Sequence, residues 1–279
     1  PNARVAISDP SWQNHRALFQ QAGFSVDTYA YYDAGTNGLD FNGMIQSLSA
    51  LEPGTIVVLH ACCHNPTGVD PTADQWQEIA GIIKSRQLVP FIDIAYQGFG
   101  QGLDADAAVI RLFAEHDITM LISSSFSKSF SLYGERVGAL TLVVSSQEEN
   151  TRVLSQLKRL IRTNYSNPPT HGASVVANIL NTPELFALWE TELTGMRERI
   201  QDMREQLAKK LQELTQSHHF DFVLQQSGMF SYTGLSAEQV DKLREEHGIY
   251  AVATGRICVA ALNSNNVDTV AQAIATVRS

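Results

Sequence analysis

Lys128 lies inside a run of hydroxyls, Ser123-Ser124-Ser125-Phe126-Ser127-Lys128-Ser129, and Arg136 follows in Gly134-Glu135-Arg136-Val137-Gly138. The apolar stretch Ile118–Ile122 ahead of it reads as a buried strand. An amine at the end of such a strand is partly desolvated, which lowers its pKa towards that of a nucleophile. Serine hydroxyls with a nearby arginine, here Ser125, Ser127 and Arg136, suit a phosphate. A nucleophilic lysine beside a phosphate cradle is what pyridoxal phosphate (PLP) requires: the amine attaches to the cofactor's aldehyde and the protein holds its phosphate. A solvated Ser-rich turn is the ordinary alternative for this segment, and a surface ion pair with Glu135 is the alternative for Arg136.

Two further segments have the same form, an apolar strand running into a polar turn. In Val89-Pro90-Phe91-Ile92-Asp93-Ile94-Ala95-Tyr96-Gln97-Gly98 the carboxylate of Asp93 falls where the strand ends. Open parallel sheets bind ligands at the carboxyl ends of their strands. A carboxylate there would keep a pyridine nitrogen protonated, and the phenol of Tyr96 could reach the cofactor's ring oxygen. A strand-end Asp that caps the next helix is the common alternative. In Val57-Val58-Leu59-His60-Ala61-Cys62-Cys63-His64-Asn65-Pro66-Thr67-Gly68 the strand enters an Asn-Pro-Thr-Gly turn. His60, Cys62, Cys63 and His64 raise the thought of a metal, but adjacent cysteines rarely converge on a tetrahedral ion. Asn65 as a hydrogen-bond donor at the strand end is preferred, and no metal site is expected.

His-Asn-Pro-Thr-Gly, Asp-Ile-Ala-Tyr-Gln-Gly-Phe, and Ser-Phe-Ser-Lys with its downstream Gly-Glu-Arg-Val-Gly together resemble the class I PLP-dependent aminotransferases, in their aspartate/aromatic branch. The resemblance continues through Arg162-Thr163-Asn164-Tyr165-Ser166-Asn167-Pro168-Pro169, Gly228-Met229-Phe230-Ser231-Tyr232-Thr233-Gly234 and Gly255-Arg256. Each motif is moderately specific; the ordered set is highly specific. It implies the PLP-dependent transferase fold type I, an α/β fold. A mostly parallel sheet would be sandwiched by helices, with a smaller C-terminal α+β domain beyond it.

The same resemblance implies roles. Lys128 carries the chemistry, Asp93 and Tyr96 tune the cofactor, and Ser125, Ser127 and Arg136 bind its phosphate. Trp12 would stack on the pyridine ring, and His15 would hydrogen-bond Asp93 from behind; a core Trp and an ordinary surface or core His are their plain readings. Arg256 would clamp the substrate's α-carboxylate, with Asn65, Trp12 and Phe230 around it. Arg162 would take the side-chain carboxylate of aspartate or glutamate from across a subunit boundary, so a homodimer with shared sites is implied. A solvated helix residue is the plain reading of Arg162. The expected partners are small amino acids and 2-oxo acids, and the expected reaction is ping-pong transamination between aromatic amino acids or aspartate and 2-oxoglutarate. Strict aspartate specificity, an inactive truncated scaffold and a metal enzyme are the rivals. Decarboxylation and elimination could use the same three segments. Family chains carry further sequence ahead of the point where this one begins, so the chain is expected to be a fragment of a longer protein.

The elements that must position these residues follow from hydrophobic periodicity. Strands are expected at Arg4–Ser8, Ser25–Tyr29, Thr55–His60, Val89–Asp93 and Ile118–Ser123, alternating with helices at His15–Ala22, Phe41–Ala50, Ala73–Ser85 and Ala105–His116. Such alternation argues for a mostly parallel sheet. Residues 147–180 read as mostly helical. Thr182-Pro183 reads as an N-cap followed by proline at the first helical position. Leu185, Leu188, Leu193, Met196, Ile200, Met203, Leu207 and Leu211 then keep a helical period long enough to bridge two domains, and the resemblance implies the division near Met196, into 1–195 and 196–279. Beyond Phe220 come short strands and two helices, Ala237–Glu246 and Asn266–Arg278.

Bulk properties set the outer limits. A chain of 279 residues with 44% hydrophobic content can bury one large domain and a small one. A net charge of −9 argues against nucleic acid. No apolar run is long enough to span a bilayer and no signal peptide is read. Three cysteines make no disulfide framework, and a reducing cytoplasm is expected.

Overall fold

The computed structural model describes residues 3–278. Strand β1 (Arg4–Asp9) leads to helix α1 (Gln13–Gln21), β2 (Ser25–Ala30), a small hairpin of β3 (Tyr32–Asp33) and β4 (Gly38–Leu39), and α2 (Phe41–Ala50). Then follow β5 (Ile56–His60), α3 (Ala73–Ser85), β6 (Val89–Ile94), α4 (Leu103–Asp106), α5 (Ala108–Glu115), β7 (Met120–Ser125) and β8 (Gly138–Val143). The helices α6 (Gln147–Asn164), α7 (His171–Asn181) and α8 (Pro183–Thr215) precede β9 (Phe230–Tyr232), α9 (Ala237–His247), β10 (Arg256–Cys258) and α10 (Val267–Arg278).

The main sheet has the order β2-β1-β5-β6-β7-β8 and is parallel except for β8, which pairs antiparallel to β7. Residues Val57 to His60 of β5 are all buried, as expected of a central strand covered on both faces. On one face Val5, Ile7 and Val58 pack with Phe19, Phe24 and Phe91. On the other, Ala6, Val57, Leu59 and Ile92 meet Trp76, Ile79 and Ile83 of α3 and Phe113 of α5. Burial on both faces is what holds the strand ends, and the residues after them, in place. Helix starts are capped where the sequence allows: Thr72 with Gln75, and Ser236 with Gln239, form capping boxes at α3 and α9.

The C-terminal part packs α10 against α8 and α9 against α10, with β9 and β10 paired antiparallel beside them. Four details depart from the sequence reading. The strand β8 was not expected, and it turns the chain back beside β7 so that Lys128 sits in the connection between the two. The helix expected over 105–116 is two pieces, broken at Ala107. There the Asp106 carboxylate turns inward and accepts the amides of Gly98, Gly100 and Gln101. Thr182 precedes Pro183 at the start of α8 but makes no side-chain cap. Along α8 the buried stripe is Leu193, Ile200, Met203, Leu207 and Leu211, whereas Leu185, Leu188 and Met196 are exposed.

Candidate active site

The carboxyl ends of β5, β6 and β7 form one row: His60 pairs with Asp93, and Asp93 with Ser123. Asp93 is therefore held at the centre of the sheet's edge by two neighbouring strands. His15 reaches it from α1, with Nε2 at 3.0 Å from Asp93 Oδ2, while its Nδ1 lies 3.0 Å from Ser11 Oγ. His60 Nε2 stands 4.0 Å from the same oxygen. Oδ1 of Asp93 has no hydrogen-bond partner among the described residues. Burial alone would push the Asp93 carboxyl up. The His15 hydrogen bond and the charges of His60, His15 and Lys128 outweigh it and hold the group below the usual carboxylate value. The result is a fixed anion with one oxygen free to accept a proton-bearing ring nitrogen.

Lys128 is half-buried, and its Nζ lies 4.6 Å from the centre of the Tyr96 ring. Burial lowers its pKa, Asp93 opposes this, and Arg136 adds to it. The loop that carries it is tied to α8: Trp189 Nε1 donates to Ser129 O at 2.7 Å, and its ring stacks on Phe130 at 4.3 Å. Ser127 is buried, and its amide donates to Ser125 Oγ at 3.2 Å. Arg136 has φ 54°, donates to Tyr133 O at 3.0 Å and is exposed; no ion pair joins it to Glu135 among the described residues.

Tyr96, buried, receives Asn65 Nδ2 at 3.4 Å on its hydroxyl, and Asn65 Oδ1 accepts Arg256 NH1 at 3.0 Å. Burial first, and then Asp93, raise the Tyr96 phenol, so it remains a donor. The Arg256 guanidinium lies 4.6 Å over the Phe230 ring, whose edge meets Tyr96 at 6.1 Å. Trp12 is 38% exposed and packs edge-on to His15 at 5.2 Å. Lys128, Tyr96, Asn65, Arg256 and Phe230 are thus linked by direct contacts, as are Asp93, His15 and Trp12, and the charges of Lys128 and Asp93 act on each other across the two groups. Arg162 is not among them. It lies exposed near the end of α6, donating to Ser166 Oγ at 2.6 Å.

A family model described as aminotransferase class I and II matches residues 1–274. The chain belongs to this aminotransferase family. An aspartate aminotransferase of Pseudomonas aeruginosa is 61% identical over 98% of this chain and 69% of its own length. An aromatic-amino-acid aminotransferase of Escherichia coli is 53% identical over 99% of this chain and 70% of its own. The crystal structure of an aromatic-amino-acid aminotransferase from Burkholderia pseudomallei, covalently bound to pyridoxal phosphate, superposes with a TM-score of 0.99 at 62% identity. It covers all of this chain and is matched over 70% of its own. The fold of the chain is accordingly fold type I, and the family uses PLP.

The donor set fits that cofactor. A half-buried amine, a carboxylate with one free oxygen held ionised, and a protonated phenol follow the ends of adjacent strands, and the hydroxyls of Ser125, at the end of β7, and Ser127 lie just ahead of the amine in the chain. The metal reading of His60, Cys62, Cys63 and His64 finds a different arrangement. The side chains whose ligand atoms converge within 4.8 Å are His15, His60 and Asp93. The Cys62 thiol is pushed up by its hydrogen bond to Cys63 and by burial, away from the thiolate a metal needs.

Sequence reasoning passed over several residues that build the site. His64 bonds Ser8 Oγ at 2.9 Å and Thr67 Oγ1 at 2.8 Å and stacks on Tyr31 at 3.9 Å. Asp70 accepts the amides of Cys63 and His64 and the hydroxyl of Ser227, all within 2.8 Å. His60 and His64 stood in the sequence as histidines inside an apolar strand and its turn, which is a signal for burial as much as for ligation.

Proposed function

We propose that this aminotransferase exchanges the amino group between aromatic amino acids or aspartate and 2-oxoglutarate by a ping-pong course, using PLP. The observation that carries the proposal is the convergence of Lys128, Asp93, Tyr96, Asn65 and Arg256 at the carboxyl ends of three parallel strands. PLP, when bound, supplies an electron sink for the carbanion formed at the substrate's α-carbon. Lys128 anchors it and, as free amine, takes the α-proton and later returns one; its lowered pKa is the reason it can act as a base. Asp93 keeps the ring nitrogen protonated through its free oxygen, and His15 holds it in orientation. Tyr96 donates to the ring oxygen, and Asn65 fixes Tyr96 and Arg256 together. Ser125, Ser127 and Arg136 take the phosphate. Arg256 grips the α-carboxylate bidentately over the face of Phe230. Trp12 lies where an indole can cover the ring.

Arg162, remote from this cluster, serves the site of a second copy, so the working unit is a homodimer. It binds the distal carboxylate of aspartate and glutamate. No helix among the described residues is long and apolar enough to cross a membrane, and a cytoplasmic location goes with this reading. Strict aspartate exchange is the second reading, favoured by the name of the 61% identical relative; the 62% identical structure carries the aromatic name. The test uses the longest native chain that contains these residues. With PLP added, its visible band should be bleached by L-glutamate and restored by 2-oxoglutarate, and turnover of aspartate and tyrosine compared on it separates the two readings. Lys128→Ala should abolish exchange while leaving the far-ultraviolet circular dichroism unchanged. Near-normal turnover in that variant would refute the mechanism.

A further inference from the structure

Arg204 is a charged group with no ion-pair partner among the described residues, yet it is only 4% exposed, on the buried stripe of α8. Its guanidinium is spent on one loop. NH2 donates to Gly228 O at 2.8 Å and Phe230 O at 3.1 Å, and NH1 to Val223 O at 3.2 Å and Ser231 Oγ at 3.3 Å. Burial lowers its pKa to about 10, which leaves it cationic at neutral pH. From the opposite side the same loop is held by the turn after β5. Ser227 N donates to Gly68 O at 2.6 Å, and Ser227 Oγ to Asp70 at 2.7 Å. Gly228 lies so close to Cys63 that a Cβ there would stand 2.5 Å from the Cys63 Cβ. The loop ends at Phe230, whose ring is the platform under Arg256.

We infer that Arg204 is a positioning residue for substrate carboxylates: it clamps the Ser227–Phe230 loop onto the turn that carries Asn65, and so sets the platform on which Arg256 is held. The inference rests on the proposed role of Arg256. A planar fork satisfying carbonyls of alternate residues fixes both the height and the tilt of the loop, which a single ammonium cannot do. Phe230 and Asn65 then meet Arg256 from two directions, and its guanidinium is oriented before any ligand arrives. Removing the fork frees three carbonyls, those of Val223, Gly228 and Phe230, lets Phe230 drift and leaves Arg256 with Asn65 alone. Charge–hydrogen-bond losses of this kind correspond to about 10-fold or more in affinity.

The experiment compares the longest native chain with its Arg204→Met and Arg204→Lys variants. Amide hydrogen exchange over residues 226–231 is read first, because it requires neither cofactor nor turnover. Binding of succinate and of 3-indolepropionate, a ligand seen with a related aromatic aminotransferase, is then measured on PLP-loaded protein. Arg204→Met should exchange faster at Ser227 and bind both carboxylates about 10-fold more weakly, with the cofactor's visible band and its pH titration unchanged. It should raise KM with little change in kcat, and Arg204→Lys should recover part of the loss. Unchanged exchange and affinity would overturn the inference, as would loss of the cofactor band in step with carboxylate binding, which marks general structural damage. If Arg204→Met does not fold, the Lys variant carries the same comparison. If the parent chain shows no glutamate-sensitive band, the proposed function fails, while faster exchange at 226–231 still supports the clamp and unchanged exchange still refutes it.

Discussion

Replacing His64 with glutamine should make the protein less sensitive to acid. His64 is 1% exposed, and burial together with the charge of His15 lowers its pKa from 6.5 to about 3. The folded protein therefore keeps the ring neutral where the unfolded chain protonates it. Stability from this group is complete above 6.5 and is lost as the pH falls towards the folded value. With 6.5 unfolded and about 3 folded, the loss between about pH 7 and about pH 5 is about 2 kcal/mol. His60 acts with the same sign: burial and the charges of His64 and His15 lower it, and Asp93 opposes them. Glutamine can keep bonds to Ser8 and Thr67 but cannot titrate. The assay is urea unfolding across that pH range on wild type and His64→Gln. The wild type should lose about 2 kcal/mol more than the variant, and His60 should leave the variant with a residual slope. Asp70, whose carboxyl is raised by burial, works the other way at lower pH, so the difference between the two proteins is the quantity to read. Parallel pH profiles for wild type and variant would refute the claim that His64 is held neutral.

Two further outcomes test the packing and the assembly. Gly228→Ala places a Cβ 2.5 Å from that of Cys63 at a backbone φ of 79°, and positive φ with overpacking should together cost about 2–5 kcal/mol in urea unfolding. A change under about 1 kcal/mol would show that the loop is not seated on the turn. Equal amounts of Lys128→Ala and Arg162→Ala protein, unfolded and refolded together, should recover about a quarter of the wild-type rate with aspartate, since half the dimers are mixed and each holds one intact site. Activity no higher than that of the separate variants would exclude a shared site.

The sequence located the ends of β5, β6 and β7 well, because buried parallel strands read as continuous apolar runs and polar residues must follow where they emerge. Asn65, Asp93 and Lys128 are legible for that reason, although they come from segments far apart in the chain. Arg256 and Phe230 depended on resemblance, since a short antiparallel pair such as β9 and β10 has too few residues to show a period. β8 went unread although Gly138–Val143 is apolar: its pairing with β7 is decided by the reversal of the chain around Lys128, which no local pattern encodes. The periodicity of α8 was clear, yet it placed Leu185 and Leu188 inside, whereas both are exposed. It also passed over Arg204, which follows Ile200 by one helical turn and so had to face the core. An arginine on an apolar stripe is a readable signal for a buried clamp.

These residues share one physical problem: the site must hold ionised groups in a region with little water. Asp93 is buried and stays ionised because His15 hydrogen-bonds it and Lys128 faces it. Arg204 is buried and stays charged against backbone carbonyls. His60 and His64 avoid the cost by remaining neutral. The three solutions are interdependent, because a proton on His64 would place a cation beside His60 and alter the field at Asp93. A substrate carboxylate approaching Arg256 meets the opposite situation. The Arg256 guanidinium is partly buried, is oriented by Asn65 and Phe230, and has no carboxylate partner among the described residues to release. With Arg256 on the α-carboxylate as proposed, discrimination between aspartate and an aromatic side chain does not arise at that end, which treats both alike, and falls to the distal end, the place proposed for Arg162 of a second copy.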